Sequence, residues 1–188
     1  MKAIYYEKYG NISVLKQGEI DDPKKVSDKE VLIKVNFFSL NPLDYKLRNG
    51  MLKLMTFRTF PRTTGSDFSG EIIAKGESVN NFEIGEKVFG FLSQLNEGTS
   101  SQFIKVNQSI LSKAPSNIDI GKAAAVPLAA LTSYQALVQL AKIKKGNKVL
   151  INGASGGTGI FAIQIAKIFG AKVTSITSHR NINWMLDT

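Results

Sequence analysis

The sequence predicts an α/β chain in two parts, a β-rich, barrel-like part followed by a β-α-β unit. Three observations predict it. Residues 1–120 hold short β-branched and aromatic segments separated by Gly, Asn and Pro. Near residue 119 the composition turns to Ala and Leu at helical spacing. Finally, NGASGGTG (residues 152–159) joins the apolar VLI to the helix-like IFAIQIAKIFG, which gives strand, glycine-rich turn and helix in sequence.

In the first part, KAIYY opens as a strand, and EVLIKVNFFSL (30–40) begins with Val31, Ile33 and Val35 alternating with Leu32, Lys34 and Asn36. SGEIIAKG (69–76), EKVFGFL (86–92) and SSQFIKV (100–106) are further short strands, each next to turn-forming residues. In the second part, Leu131, Tyr134, Leu137, Val138 and Ala141 have helical spacing, and Gly146 is expected to close that helix. VLING is the next strand, GTGIFAIQIAKIFG a helix closed by Gly170, and KVTSITS the strand after it. The expected domains are 1–122 and 123–188. No repeat or low-complexity tract interrupts them.

Of the 188 residues, 43% are hydrophobic and 21% charged, an ordinary globular balance. The chain has no cysteine, which removes disulfides, thiolate zinc sites and cysteine nucleophiles and fits a reducing, cytoplasmic setting. MKAIYYEKYG lacks a signal peptide's apolar core, and the longest apolar run, AAAVPLAAL (123–131), is too short to cross a bilayer. The net charge is +9. The lysines are scattered, with only KIKKGNK dense, and the expectation is a solvated basic surface with no nucleic-acid partner.

The glycine-rich joint has a chemical reading. Ala154, Gly156 and Gly159 match A-x-G-x-x-G, a variant of the dinucleotide fingerprint. A helix start offers unpaired N–H groups and the positive end of its dipole, so a pyrophosphate can sit there if no side chain intervenes. Gly156 permits that approach, Gly159 lets helix and strand pack closely, and Ser155 adds a hydroxyl. With Gly157 and Thr158 these residues form the expected cofactor loop. An NAD site places an acid about 20 residues after the first glycine. Val173–Asn183 contains none and offers Ser178, His179 and Arg180. A hydroxyl and a guanidinium suit a 2′-phosphate, so Ser178 and Arg180 point to NADP(H), with His179 on the surface.

Four motifs in order carry a resemblance that covers essentially the whole chain. SLNPLDYKLRNG (39–50), PRTTGSDFSGEI (61–72), PLAALTSYQAL (127–137) and NGASGGTG are similar to those of the medium-chain dehydrogenase/reductases. Within that family they resemble the zinc-independent quinone oxidoreductases of the zeta-crystallin type. The resemblance implies a GroES-like β-barrel catalytic domain followed by the first part of a Rossmann domain. The zinc-dependent branch carries a cysteine where this chain has Asn41, and a His-Glu pair where it has Ser66-Asp67. A catalytic zinc needs three protein ligands, so no metal is expected, and the substrate must be polarised by hydrogen bonds and positioning.

By the same resemblance, Asn41 lines the cleft near the nicotinamide and Asp44 fixes the local turn and cleft wall. Tyr45 supplies a hydroxyl or an aromatic wall, and Thr132 contacts the nicotinamide. Taken by themselves, Asn41-Pro42 is a turn signal, Asp44 suits a helix N-cap, and Thr132 is an ordinary helix residue. Asp67 is read as structural. The implied activity is NADPH-dependent reduction of a quinone or activated enone. Another α,β-unsaturated carbonyl or a thioester is the alternative substrate, and a non-catalytic RNA-binding role is the alternative of a different class. The ending SHRNINWMLDT reads as the start of another helix with Ile182, Trp184, Met185 and Leu186 on its apolar face. A Rossmann sheet has two βαβαβ halves, so the expectation is a shortened member, inactive alone, with the strands of a possible homodimer lying beyond residue 188.

Overall fold

The computed structural model describes residues 1–23, 25–54, 60–93 and 97–186. The chain clusters into two compact units, Met1–Pro127 and Leu128–Thr188. The first contains β1 (Lys2–Tyr6), β2 (Lys16–Glu19), β3 (Glu30–Ser39), α1 (Pro42–Arg48), β4 (Arg62–Thr63) and β5 (Asp67–Lys75). Then come β6 (Lys87–Phe91), β7 (Phe103–Asn107), β8 (Leu111–Lys113) and α2 (Ile120–Ala123). Helix α3 (Pro127–Tyr134) leads into the second unit, with β9 (Lys148–Asn152), α4 (Gly157–Ile168), β10 (Lys172–Ile176) and α5 (Ile182–Met185).

Two antiparallel sheets build the first unit, in strand orders β2-β1-β4 and β7-β3-β5-β6-β8. The alternation in β3 explains its core. Val31 and Ile33 are wholly buried with Phe68, Ile72 and Val88, while Lys34 faces out. The pattern breaks where the β3–β5 register slips between Val35 and Phe37. A bulge of this kind re-aims the rest of a strand, and here it brings Ser39 opposite Asp67.

Strands β2, β4 and β8 were not anticipated from the sequence, and helix α1 was foreshadowed only by Asp44 as a possible N-cap. KQGE, RT and LSK are too short and too polar to alternate visibly, and their partners in the ladders define them. In α1 the N-cap is Asn41, not Asp44. Asp44 is the third residue of the first turn, and its carboxylate accepts the Asn41 backbone N–H.

The second unit is a right-sized βαβ element. Strands β9 and β10 pair in parallel from Lys148↔Lys172 to Asn152↔Ile176. Helix α4 covers them, burying Ala162 and Ile163 against Ile151 and Ala154. Gly170, at φ +73°, follows the last turn of α4 in the left-handed conformation that only glycine adopts cheaply. Gly146 does not play that part. After α3 the chain continues as a π-helical stretch, Gln135–Leu140, which is already capped at Ala141. Gly146 falls later, in the turn before β9, where its N–H donates to the Gly170 carbonyl (2.9 Å). At the other end, α5 is one turn long, with Met185 packed on the core and Ile182, Trp184 and Leu186 exposed. Asp187 and Thr188 lie outside the described residues. Among the described residues no helix is long and apolar enough to cross a membrane.

Candidate functional site

The residues singled out from the sequence fall in both units. Asn41, Asp44 and Tyr45 belong to the first. Thr132, the glycine loop, Ser178 and Arg180 belong to the second.

In the first unit, a cavity of about 440 Å³ is walled by Ile4, Ile12, Leu15, Phe38, Leu40 and Pro42, with Asn41, Asp44, Tyr45, Arg48 and Thr64 among them. The Asn41 amide nitrogen donates to Asp67 Oδ2 (2.9 Å) and lies 3.3 Å from Ser39 Oγ. The Ser39 hydroxyl donates to the same Asp67 oxygen (2.9 Å). Asp67 has no solvent exposure, and its backbone carbonyl accepts the Thr99 hydroxyl (3.1 Å). Both amide hydrogens of Asn41 are thus engaged, so Asn41 offers the cavity shape and an amide oxygen rather than a free donor.

Asp44 is buried, and both of its carboxylate oxygens meet backbone N–H groups. One accepts Asn41, and the other accepts Gly65 at 3.0 Å. This ties the start of α1 to the loop before β5. Tyr45, on the next position of α1, is 47% exposed and lines the cavity, and its hydroxyl makes no hydrogen bond among the described residues. Arg48 also lines the cavity, with Nε 3.5 Å from the Gly10 carbonyl. Sequence reasoning gave Arg48 no role, although it is the arginine of the first motif. The Ser39–Asn41–Asp67 triad was equally invisible, because Asp67 is 28 residues from Ser39 and 26 from Asn41.

In the second unit, β9 ends and Gly153 turns the chain at φ +72°. Ala154 is buried and anchored by its N–H to the Ile176 carbonyl (3.0 Å). Gly156 is the N-cap of α4, and no side chain caps that end. Ile160 is the first residue of α4 to make the intrahelical bond, to the Gly156 carbonyl (3.0 Å), which leaves the N–H groups of Gly157, Thr158 and Gly159 for an outside acceptor. Space is there too. A Cβ on Gly157 would meet nothing within 4 Å, and one on Gly156 only the Gly153 oxygen at 3.2 Å. Gly159 is the opposite case, since its Cβ would strike the Gly153 and Ala154 carbonyl oxygens at 2.5 and 2.6 Å. The residues therefore fit an anionic group at the helix start.

Ser155 Oγ accepts hydrogen bonds from Thr177 Oγ1 and Asn181 Nδ2, both at 2.8 Å. With both lone pairs engaged, its own proton is left to donate outward. Thr177 and Asn181 are partners the sequence did not announce. Ser178 and Arg180 are exposed beside them at the end of β10, and Arg180 makes no ion pair among the described residues. Thr132 is exposed, its hydroxyl donating to the Leu128 carbonyl (2.7 Å). Its neighbour Ser133 is buried, with Oγ 2.7 Å from the Thr158 carbonyl, which pins α3 to the first turn of α4. Among the described residues no three His, Cys, Asp or Glu side chains are grouped to hold a metal.

A GroES-like β-domain followed by the opening βαβ unit of a Rossmann sheet is a recognised oxidoreductase scaffold. Residues 27–116 match the alcohol dehydrogenase GroES-like domain. Over nearly its whole length the chain is similar to members of the medium-chain dehydrogenase/reductase family, among them quinone oxidoreductases. It is 36% identical over 191 residues to the chloroplastic quinone-oxidoreductase homolog of Spinacia oleracea, covering 98% of this chain and 58% of that protein. It is 34% identical over 174 residues to the quinone oxidoreductase of Homo sapiens, covering 92% and 51%. Among solved structures, the quinone oxidoreductase from Coxiella burnetii superposes with a TM-score of 0.89 at 36% identity, covering 100% of this chain and 59% of that one. The Escherichia coli quinone oxidoreductase complexed with NADPH superposes at 0.85 with 25% identity, covering 100% and 56%. The chain thus spans between half and three fifths of the length of these relatives.

Proposed function

We propose that this chain is the catalytic and initial cofactor-binding portion of an NADPH-dependent, zinc-independent reductase of quinones or activated enones. Residues 1–122 are read as its GroES-like catalytic domain and 123–188 as part of its dinucleotide-binding domain. One observation carries the reading. Where the zinc-dependent branch of the family has a cysteine and a His-Glu pair, this chain has Asn41 and Ser66-Asp67, and Asn41, which lines an apolar cavity, donates directly to the buried Asp67 carboxylate at 2.9 Å. An amide and one carboxylate, already bonded to each other, are a poor ligand set for a catalytic zinc.

The bound nicotinamide would supply the hydride. This chain's residues do the rest. The N–H groups of Gly157, Thr158 and Gly159, with the Ser155 hydroxyl, hold the pyrophosphate. Ser178 and Arg180 hold the 2′-phosphate. The Thr132 hydroxyl, its proton committed to Leu128, accepts a hydrogen bond from the nicotinamide amide. Ile12, Leu15, Phe38 and Leu40 give the substrate an apolar bed. Tyr45, whose hydroxyl has no protein partner among the described residues, donates to the substrate's carbonyl oxygen as negative charge develops there. Asp44 and Asp67 position α1 and Asn41 and do not touch the substrate. The E. coli relative solved with NADPH supports the choice of cofactor.

The test is a titration of NADPH and NADH into the protein and its Arg180→Ala variant. Loss of a charge-assisted phosphate contact costs about 1.5–3 kcal/mol, or about one to two decades of NADPH affinity. NADH affinity should not move. Equal affinity for the two cofactors before mutation would overturn the assignment.

A further inference from the structure

The dense lysine segment plays no part in that reading, and the fold adds to it. Lys148 and Lys172 open β9 and β10 and are register partners across the parallel pair. The turn into β9 carries Lys144 and Lys145 and is closed by the Asn147 N–H to the Lys144 carbonyl (3.1 Å) and the Lys144 N–H to Asn147 Oδ1 (2.8 Å). Lys145 packs against Gly170, where a Cβ would lie 3.1 Å from its side chain. Lys167 stands in the last turn of α4, directly before the strand that Lys172 opens. Lys142 precedes the turn by two residues. Six lysines, all exposed, are gathered at the end of the unit where both strands begin.

The glycine loop lies where those strands finish, because the pair is parallel and α4 runs back between them. The cluster is therefore separate from the cofactor-phosphate site. Residues 128–186 contain no Asp or Glu, so the described part of the unit provides no carboxylate to offset Lys142, Lys144, Lys145, Lys148 and Lys172.

Large apolar side chains stand within the cluster. Ile168 and Phe169 follow Lys167, at 80% and 37% exposure, and Leu140, 81% exposed, precedes Lys142. Lysine is a strongly hydrated point charge on a long apolar stem, suited to a plane of phosphates. Nucleic-acid sites draw on arginine and on aromatic stacking. This cluster has no arginine, and its most exposed apolar members are aliphatic. Cations around protruding aliphatic side chains match the boundary between anionic headgroups and acyl chains.

We propose that this end of the second unit is a docking surface for an anionic lipid bilayer. The lysines bring it to the surface, and Ile168 and Leu140 enter the headgroup layer. The inference does not depend on the oxidoreductase reading.

Flotation with vesicles of phosphatidylcholine alone, or mixed with an equal part of phosphatidylglycerol, tests it. The protein should float with the anionic vesicles only and be released by raised salt. A Lys144→Ala, Lys145→Ala, Lys172→Ala variant should bind about a hundredfold more weakly. A Leu140→Ser, Ile168→Ser variant should also bind more weakly. All five positions are exposed, and circular dichroism melts check that each variant is folded. No binding to anionic vesicles, equal binding to neutral ones, or anionic binding untouched by the serine substitutions would overturn the proposal. So would tighter binding to a single-stranded oligonucleotide than to the vesicles.

Discussion

Gly159 and Gly157 stand two residues apart in the first turn of α4, and the structure gives them opposite responses to one added methyl group. At Gly159 the new Cβ would lie 2.5 Å from the Gly153 oxygen, 2.6 Å from the Ala154 oxygen and 2.7 Å from the Ala154 carbonyl carbon. These are backbone atoms of a tight loop, and Ala154 is anchored to the Ile176 carbonyl, so they cannot rotate aside. Overpacking of this kind costs about 1–3 kcal/mol. At Gly157 a Cβ would meet nothing within 4 Å, and Gly→Ala in a helix returns up to about 1 kcal/mol through the unfolded chain's entropy. Gly159→Ala should therefore unfold at lower urea concentration than the parent, while Gly157→Ala should match or exceed it. Cofactor affinity should sort the other way among folded proteins. The open space at Gly157 is where the pyrophosphate is proposed to sit, so Gly157→Ala should lose NADPH affinity without losing stability. Gly159→Ala as stable as the parent would refute the close-packing argument. Unchanged NADPH affinity in Gly157→Ala would make the loop a structural turn and nothing more.

Asp67→Ala strips the acceptor from two inward-facing donors, Ser39 Oγ and Asn41 Nδ2, and should destabilise the protein by about 2–5 kcal/mol in urea unfolding. A cost under about 1 kcal/mol would show that water replaces the carboxylate. In a form extended to the length of the relatives, Tyr45→Phe should lower quinone reduction by about a hundredfold with no change in melting, since the hydroxyl has no protein partner among the described residues. An unchanged rate assigns Tyr45 to the cavity wall alone. Glu30 is held below the usual carboxylate range, first by the Ser27 backbone N–H and then by the Ser27 and Lys105 side chains. A lowered folded pKa gives stability that is present above the unfolded value and is lost as pH falls through the folded one. Glu30→Gln should therefore be less stable than the parent near neutrality and equal to it in acid, as read by urea melts at the two pH values.

The parts of this protein that the sequence revealed are those whose residues are close together in the chain. Strand VLING, the loop Ala154–Gly159 and helix α4 follow one another without a gap, so their glycines could be assigned tasks before any fold was known. Alternation in β3 likewise announced Val31 and Ile33 as core, because a pleated strand places every second residue on the same face. The tertiary structure decided what depends on distant pairings. Asn41 meets Asp67 only because a bulge at Val35/Phe37 and the β3–β5 ladder set Ser39 opposite Asp67. Ser155 finds Thr177 and Asn181 only because β10 returns parallel to β9. The basic surface divides the same way. KIKKGNK was plain in the sequence, but its union with Lys167 and Lys172 required α4 to carry the chain back to the start of the sheet. Local patterns are written in the spacing of residues, whereas a site made of residues 20 or more positions apart exists only once strand register has chosen which of them meet.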